Sequence, residues 1–111
     1  MRLTALCLVL AATSLWAHAI VMESSPSPHG VVHGPDVVLR LKFNSRVDGS
    51  HSRFYLEIGR VSRAIKIDPQ PSPDTLVGHV TGLVPGAAVL RWQVLAIDGH
   101  ITRGELPFDV Q

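Results

Sequence analysis

From Val37 to Phe43 the chain reads VVLRLKF, with Val37, Leu39, Leu41 and Phe43 on one side and Val38, Arg40 and Lys42 on the other. Period-two alternation of this kind marks a strand with one face buried and one face wet. RFYLEI, VSRAIKI, TLVGHV, AAVLRWQVLAI and ELPFDV are further strand-like stretches, divided by VDGSH, GR, DPQPSPD and GLVPG. The dividers are rich in the Gly, Pro, Asp and Ser that turns require. No stretch holds a helical period across ten residues. With the opening HAIVME this makes about seven strands, separated by turn signals roughly every 8–12 residues, which is the spacing of an antiparallel β-sandwich. There is no internal repeat and no linker.

The segment ahead of the first strand follows a different logic. Arg2 precedes an apolar run from Leu3 to Leu15, interrupted only by Thr4, Thr13 and Ser14, and small residues follow at Ala17 and Ala19. This is the layout of a cleaved export signal, since the run is short for a membrane span and lacks a charged stop-transfer flank. Two cuts compete. Cleavage after Ala19 uses the small pair Ala17 and Ala19 and discards His18, whereas cleavage after Ala17 leaves His18 as the new terminus. The bare pattern slightly favours the first.

Removing residues 1–17 leaves 94, enough for one small domain with a single core. Cys7 leaves with the signal, so an exported domain is held by packing alone and thiol chemistry is excluded. Without Arg2, nine Lys and Arg balance nine Asp and Glu, interspersed along the chain, which does not suit a nucleic-acid or anionic-membrane partner.

No nucleophile elbow, phosphate-cradling glycine loop or helical zinc motif is present, which leaves the histidines. Pro28, Gly30, Gly34 and Pro35 surround His29 and His33 and deny them a helix to align on, so both read as solvated loop residues. His51 follows VDGS, and His79 is out of phase with Leu76 and Val80; both read as surface residues. AIDGHITRGELPFDV differs, because the face carrying Ala88, Leu90, Trp92, Val94 and Ala96 continues to Asp98 and His100. In extended chain such a pair lies about 6.5–7 Å apart at Cα and points one way, which suits a shared metal. A plain Asp-Gly turn around Gly99 fits the same letters.

An exported chain beginning His-Ala, followed by SSPSPHG, VVLRLKFNSRV and LRWQVLAIDGHITRGELPFDV, resembles the CopC copper-resistance family. That family's pattern ends in Trp-Arg-Val, Ser-Ala-Asp-Gly-His and a Gly-x-x-x-Phe strand. The resemblance spans essentially all of residues 18–111 and is most specific in the last third. It implies a seven-stranded, immunoglobulin-like Greek-key sandwich of the cupredoxin-like kind, in the periplasm. It also implies a Cu(II) site formed by the mature N-terminal histidine with the late Asp and His, which are His18, Asp98 and His100 here. Cleavage after Ala17 follows from that assignment.

A terminal histidine chelates through its α-amine and Nδ1 together, whereas an internal one offers only its ring. With the second imidazole and the carboxylate, this borderline-soft donor set suits tetragonal Cu(II), with zinc as the competitor. The sequence departs from the family in three places. Met22 is the one methionine beyond residue 17, so no Cu(I) site is expected. Asn44 and Ser45 follow Phe43 where some relatives carry a liganding carboxylate, and a water is expected there instead. Ile97 stands before Asp98 where the family favours small residues.

The expected function is therefore that of a periplasmic, monomeric Cu(II) carrier or buffer, not an enzyme. A histidine-brace oxidative copper enzyme of the lytic polysaccharide monooxygenase type is the alternative. It would need a second histidine and a larger substrate face, for which Phe43, Phe54, Tyr55, Trp92 and Phe108 provide little aromatic material. A metal-free immunoglobulin-like interaction module is the third reading. The sequence ends without the membrane segments some family members append, so an inner-membrane copper transporter of the CopD type is the expected partner.

Overall fold

The computed structural model describes residues 19–111. Eight strands follow one another: β1 (Val21–Ser25), β2 (Gly30–Val32), β3 (Val37–Phe43), β4 (Val47–Ile58), β5 (Val61–Ile65), β6 (Thr75–Val80), β7 (Gly86–Ala96) and β8 (Ile101–Val110). They form a three-stranded sheet in the order β1-β3-β6 and a five-stranded sheet in the order β2-β8-β7-β4-β5, packed as an immunoglobulin-like sandwich. The expected export signal and His18 lie outside the described residues.

The alternation seen in the sequence is the alternation that builds the core. β3 sends Leu39, Leu41 and Phe43 inward, β6 adds Leu76 and Val80, and Phe54, Leu56, Leu90, Trp92, Val94, Leu106 and Phe108 face them from the larger sheet. Each fully buried side chain of this size stabilises the fold by about 1.5–3 kcal/mol relative to exposure, so the period-two pattern pins the register of the strands that build the core. Trp92 packs edge-on against Phe43, with ring centroids 5.4 Å apart and planes at 78°. Across β8 the Trp92 ring lies directly over Gly104, where a Cβ would sit 2.1 Å from Cζ2. Two residues of the late sequence motif therefore meet face to face.

Three local expectations are corrected. The strand count rises from seven to eight because Gly30–Val32 pairs parallel with Phe108–Val110, so the sandwich is not wholly antiparallel. Three residues carry too little pattern for a strand to be legible.

VDGSH, expected as a turn, is instead an irregular part of β4, with a register shift between Asp48 and Arg53 against β7. Its turn chemistry survives locally, since Asp48 Oδ1 accepts from the Ser50 N–H at 3.0 Å. Gln70, arriving from the next loop, takes the Gly49 N–H on Oε1 at 2.9 Å and donates to the Val47 carbonyl at 3.1 Å. Those bonds satisfy backbone groups that the bulge takes out of the ladder.

VSRAIKI is not one continuous strand either. β5 ends at Ile65, and Ile67 then bridges to Gly78 of β6, carrying the chain from the larger sheet to the smaller.

Candidate metal centre

β7 and β8 form a hairpin whose last ladder pair is Leu95 with Ile101. The turn between them is closed by the Ala96 N–H donating to the His100 carbonyl at 2.8 Å and by the Gly99 N–H donating to the Ala96 carbonyl at 2.9 Å. Gly99 takes φ +89°, a conformation that L side chains rarely adopt. Within this turn Asp98 Oδ1 accepts from the His100 backbone N–H at 3.1 Å, and Asp98 Oδ2 lies 3.2 Å from His100 Nδ1. Asp98 and His100 do come together, but through a turn instead of an extended strand, because β7 stops at Ala96. The Asp-Gly turn and the juxtaposition of the two side chains are the same structure.

The electrostatics of the pair are set locally. The His100 backbone N–H, and to a lesser extent the His100 ring, hold the Asp98 carboxyl below its ordinary value of 3.8 against a smaller opposing effect of desolvation. Asp98 is thus a carboxylate, with lone pairs to share, across the whole neutral range. The His100 side chain is 62% exposed and free to approach an ion from solvent.

The other histidines separate clearly. His29 and His33 are exposed and flank β2, and among the described residues neither belongs to a group of three or more metal-binding side chains. His51 Nδ1 lies 2.8 Å from Asp48 Oδ2, with Ser50 Oγ 2.7 Å from Asp48 Oδ1. Hydrogen bonds from Ser50 and His51 lower the Asp48 carboxyl. His79, exposed on β6, pairs with Asp68. Three Asp–His pairs therefore stand on the surface, and among the described residues no group of three or more His, Cys, Asp or Glu gathers at one point.

What distinguishes the Asp98–His100 pair is its neighbour. The start of the described chain runs alongside β8: the Ala19 N–H donates to Thr102 Oγ1 at 3.3 Å, and Thr102 stands two residues past His100. Ala19 is buried at 2% exposure. Ile20 is held in turn by Asn44, whose Oδ1 accepts the Ile20 N–H at 2.9 Å while its own N–H donates to the Ile20 carbonyl at 2.9 Å. Neither Thr102 nor Asn44 is marked by residue type in the sequence. Asn44 is noticeable only for standing where some relatives of the resembled family have a ligand.

The fold and site define a class: small two-sheet β-sandwiches in which the start of the described residues is held by β8, two residues past an Asp–His pair in the β7–β8 turn. The particular family follows from direct comparison. The chain belongs to the CopC domain family, whose model matches residues 21–111. It is 28% identical over 107 residues to Protein YobA of Escherichia coli strain K12, covering 92% of this chain and 86% of that protein, and it matches YobA of Shigella flexneri with the same figures. Among solved structures it resembles CopC from Methylosinus trichosporium OB3b, with a TM-score of 0.76 and 25% identity over 85% of this chain and 94% of that one. It also shares its fold with PcoC, a methionine-rich copper resistance protein from Escherichia coli, with a TM-score of 0.72 and 21% identity over 86% of this chain and all of that one.

Proposed function

We propose that the protein is an exported, periplasmic Cu(II) carrier or buffer that binds one ion through His18, Asp98 and His100. The observation that carries this reading is the seat of Ala19 on Thr102, because His18 is bonded to the very nitrogen that Thr102 holds, two residues from His100. Of the three surface Asp–His pairs, this is the one that Ala19, the first described residue, approaches. Family membership and the copper-resistance relative PcoC support copper as the cargo.

The donor chemistry fits. Cis ligands at bonds of about 2.0 Å in a tetragonal complex stand about 2.8 Å apart, and the 3.2 Å between Asp98 Oδ2 and His100 Nδ1 needs little adjustment to meet that. Cleavage after Ala17 makes His18 terminal and supplies an amine and a second imidazole. The ion is cargo, not a catalyst, and an inner-membrane transporter of the CopD type is the partner that would take it.

The test is the intact mass and N-terminal sequence of the exported protein, followed by Cu(II) titration against a competing chelator. The authentic protein is compared with one whose His18 α-amine is acetylated. Acetylation turns the amine into an amide and is expected to weaken binding severely while leaving the melting temperature unchanged. A mature terminus at Ile20, or equal affinities for the two proteins, would refute the reading. Sustained reductant-dependent oxygen consumption by the copper-loaded protein would make it an enzyme instead.

A further inference from the structure

We infer that Asn44 is a positioning residue for the terminal copper ligand, a reading that rests on the proposed function above. β1 and β3 pair antiparallel with Val21 opposite Phe43, which makes Ile20 and Asn44 the next pair at the end of that ladder. Asn44 completes the ladder with two bonds at 2.9 Å, one from its backbone N–H to the Ile20 carbonyl and one from the Ile20 N–H to its side-chain Oδ1. The side-chain oxygen thus stands in for a backbone carbonyl at the point where a ladder ordinarily ends. One residue further toward the terminus, Ala19 is buried and Thr102 Oγ1 accepts its N–H.

Chain termini usually fray because nothing offsets the entropy of ordering them. Here two side chains from two different sheets, Asn44 after β3 and Thr102 on β8, hold consecutive amides just behind His18. A ligand delivered from a fixed point loses less freedom when it closes on the ion, so part of the affinity is set before copper arrives. An alanine, or a residue without a side-chain acceptor, would leave the ladder one bond short at the position nearest the site.

The experiment is a cycle on the full mature chain, with Asn44→Ala made in the authentic protein and in a version whose His18 α-amine is acetylated. With the authentic terminus, Asn44→Ala is expected to weaken Cu(II) binding about two- to tenfold, the equivalent of one net hydrogen bond. With the blocked terminus its effect is expected to shrink, because the amine it helps to place is already lost and only the ring remains. Thr102→Val should act like Asn44→Ala, and Thr102→Ser, which keeps the hydroxyl, should restore wild-type affinity. In metal-free protein, amide exchange at Ile20 should accelerate in Asn44→Ala while exchange in β7 and β8 stays as it was.

An Asn44→Ala protein that binds copper as tightly as wild type, or that weakens binding equally with and without the acetyl group, overturns the inference while leaving the copper site standing. Authentic and blocked wild-type proteins of equal affinity overturn the copper reading first, and exchange at Ile20 then reports on the clasp alone.

Discussion

Replacing Gly104 with alanine should be among the most damaging single-methyl additions available in this chain. A Cβ at that position would lie 2.1 Å from Trp92 Cζ2, 2.5 Å from Cε2 and 2.8 Å from Cη2. Carbon atoms in favourable contact sit about 3.5–4.0 Å apart, so the indole must retreat by more than an ångström. It is a rigid bicycle already packed against Phe43, itself buried at 1% exposure, and a small rotation does not clear three ring atoms at once. Overpacking of this kind costs about 1–3 kcal/mol, and full expulsion of the ring would approach the roughly 3–5 kcal/mol of deleting a buried aromatic. For a domain of this size, about 2 kcal/mol lowers the melting temperature by on the order of 10 °C.

The assay is urea and thermal denaturation, with fluorescence reporting on Trp92, the one tryptophan among residues 19–111. Gly104→Ala should melt early and emit at longer wavelength as the ring gains water. Adding Trp92→Phe, with unfolding followed by circular dichroism because the fluorescent ring is gone, should recover part of the loss, since the smaller ring leaves room for the methyl, and the two changes should be strongly non-additive. A Gly104→Ala protein within about 0.5 kcal/mol of wild type with unchanged emission would refute the packing argument.

Three further outcomes are expected. In equilibrium titrations His100→Ala and Asp98→Asn should each weaken Cu(II) binding, the histidine change more, because imidazole is the better donor to that ion. His29→Ala, His33→Ala, His51→Ala and His79→Ala should leave binding near wild type, and a loss that follows His51 or His79 would move the site to another Asp–His pair. Gly99→Ala meets nothing within 4 Å, so its cost is the φ of +89° alone, about 1 kcal/mol in urea midpoints; a loss well beyond that would mean the turn has a contact the geometry lacks. Asp48, Asp74 and Asp98 are all held below the ordinary 3.8, Asp74 by the Thr75 hydroxyl first and the Ser72 hydroxyl second. Their stabilisation is therefore present above the usual carboxylate range and lost as pH falls through the depressed values. Urea midpoints should drop below about pH 4, less steeply in Asp74→Asn, and midpoints that stay level down to about pH 2 would contradict the assignment.

The strands of the core were legible because their cause is local. Leu39, Leu41 and Phe43, or Leu90, Trp92 and Val94, face one way simply by standing two residues apart, and burying that face selects the sandwich and its registers. The chemistry in the β7–β8 hairpin was legible for the same reason, since Asp98, Gly99 and His100 adjoin in sequence and the turn that joins them is their own. Tertiary structure decided what depends on distant chain meeting. Thr102 reaches Ala19 across a separation of 83 residues and Asn44 reaches Ile20 across 24, and no residue pattern announces either bond. The same holds for Gly104, whose missing side chain is explained only by Trp92 lying on it, and for VDGSH, whose turn letters are overruled by Gln70 from another loop. Periodicity reports which face of an element is buried, whereas the identity of the atoms on the other side of a contact is a property of the assembled sheets alone.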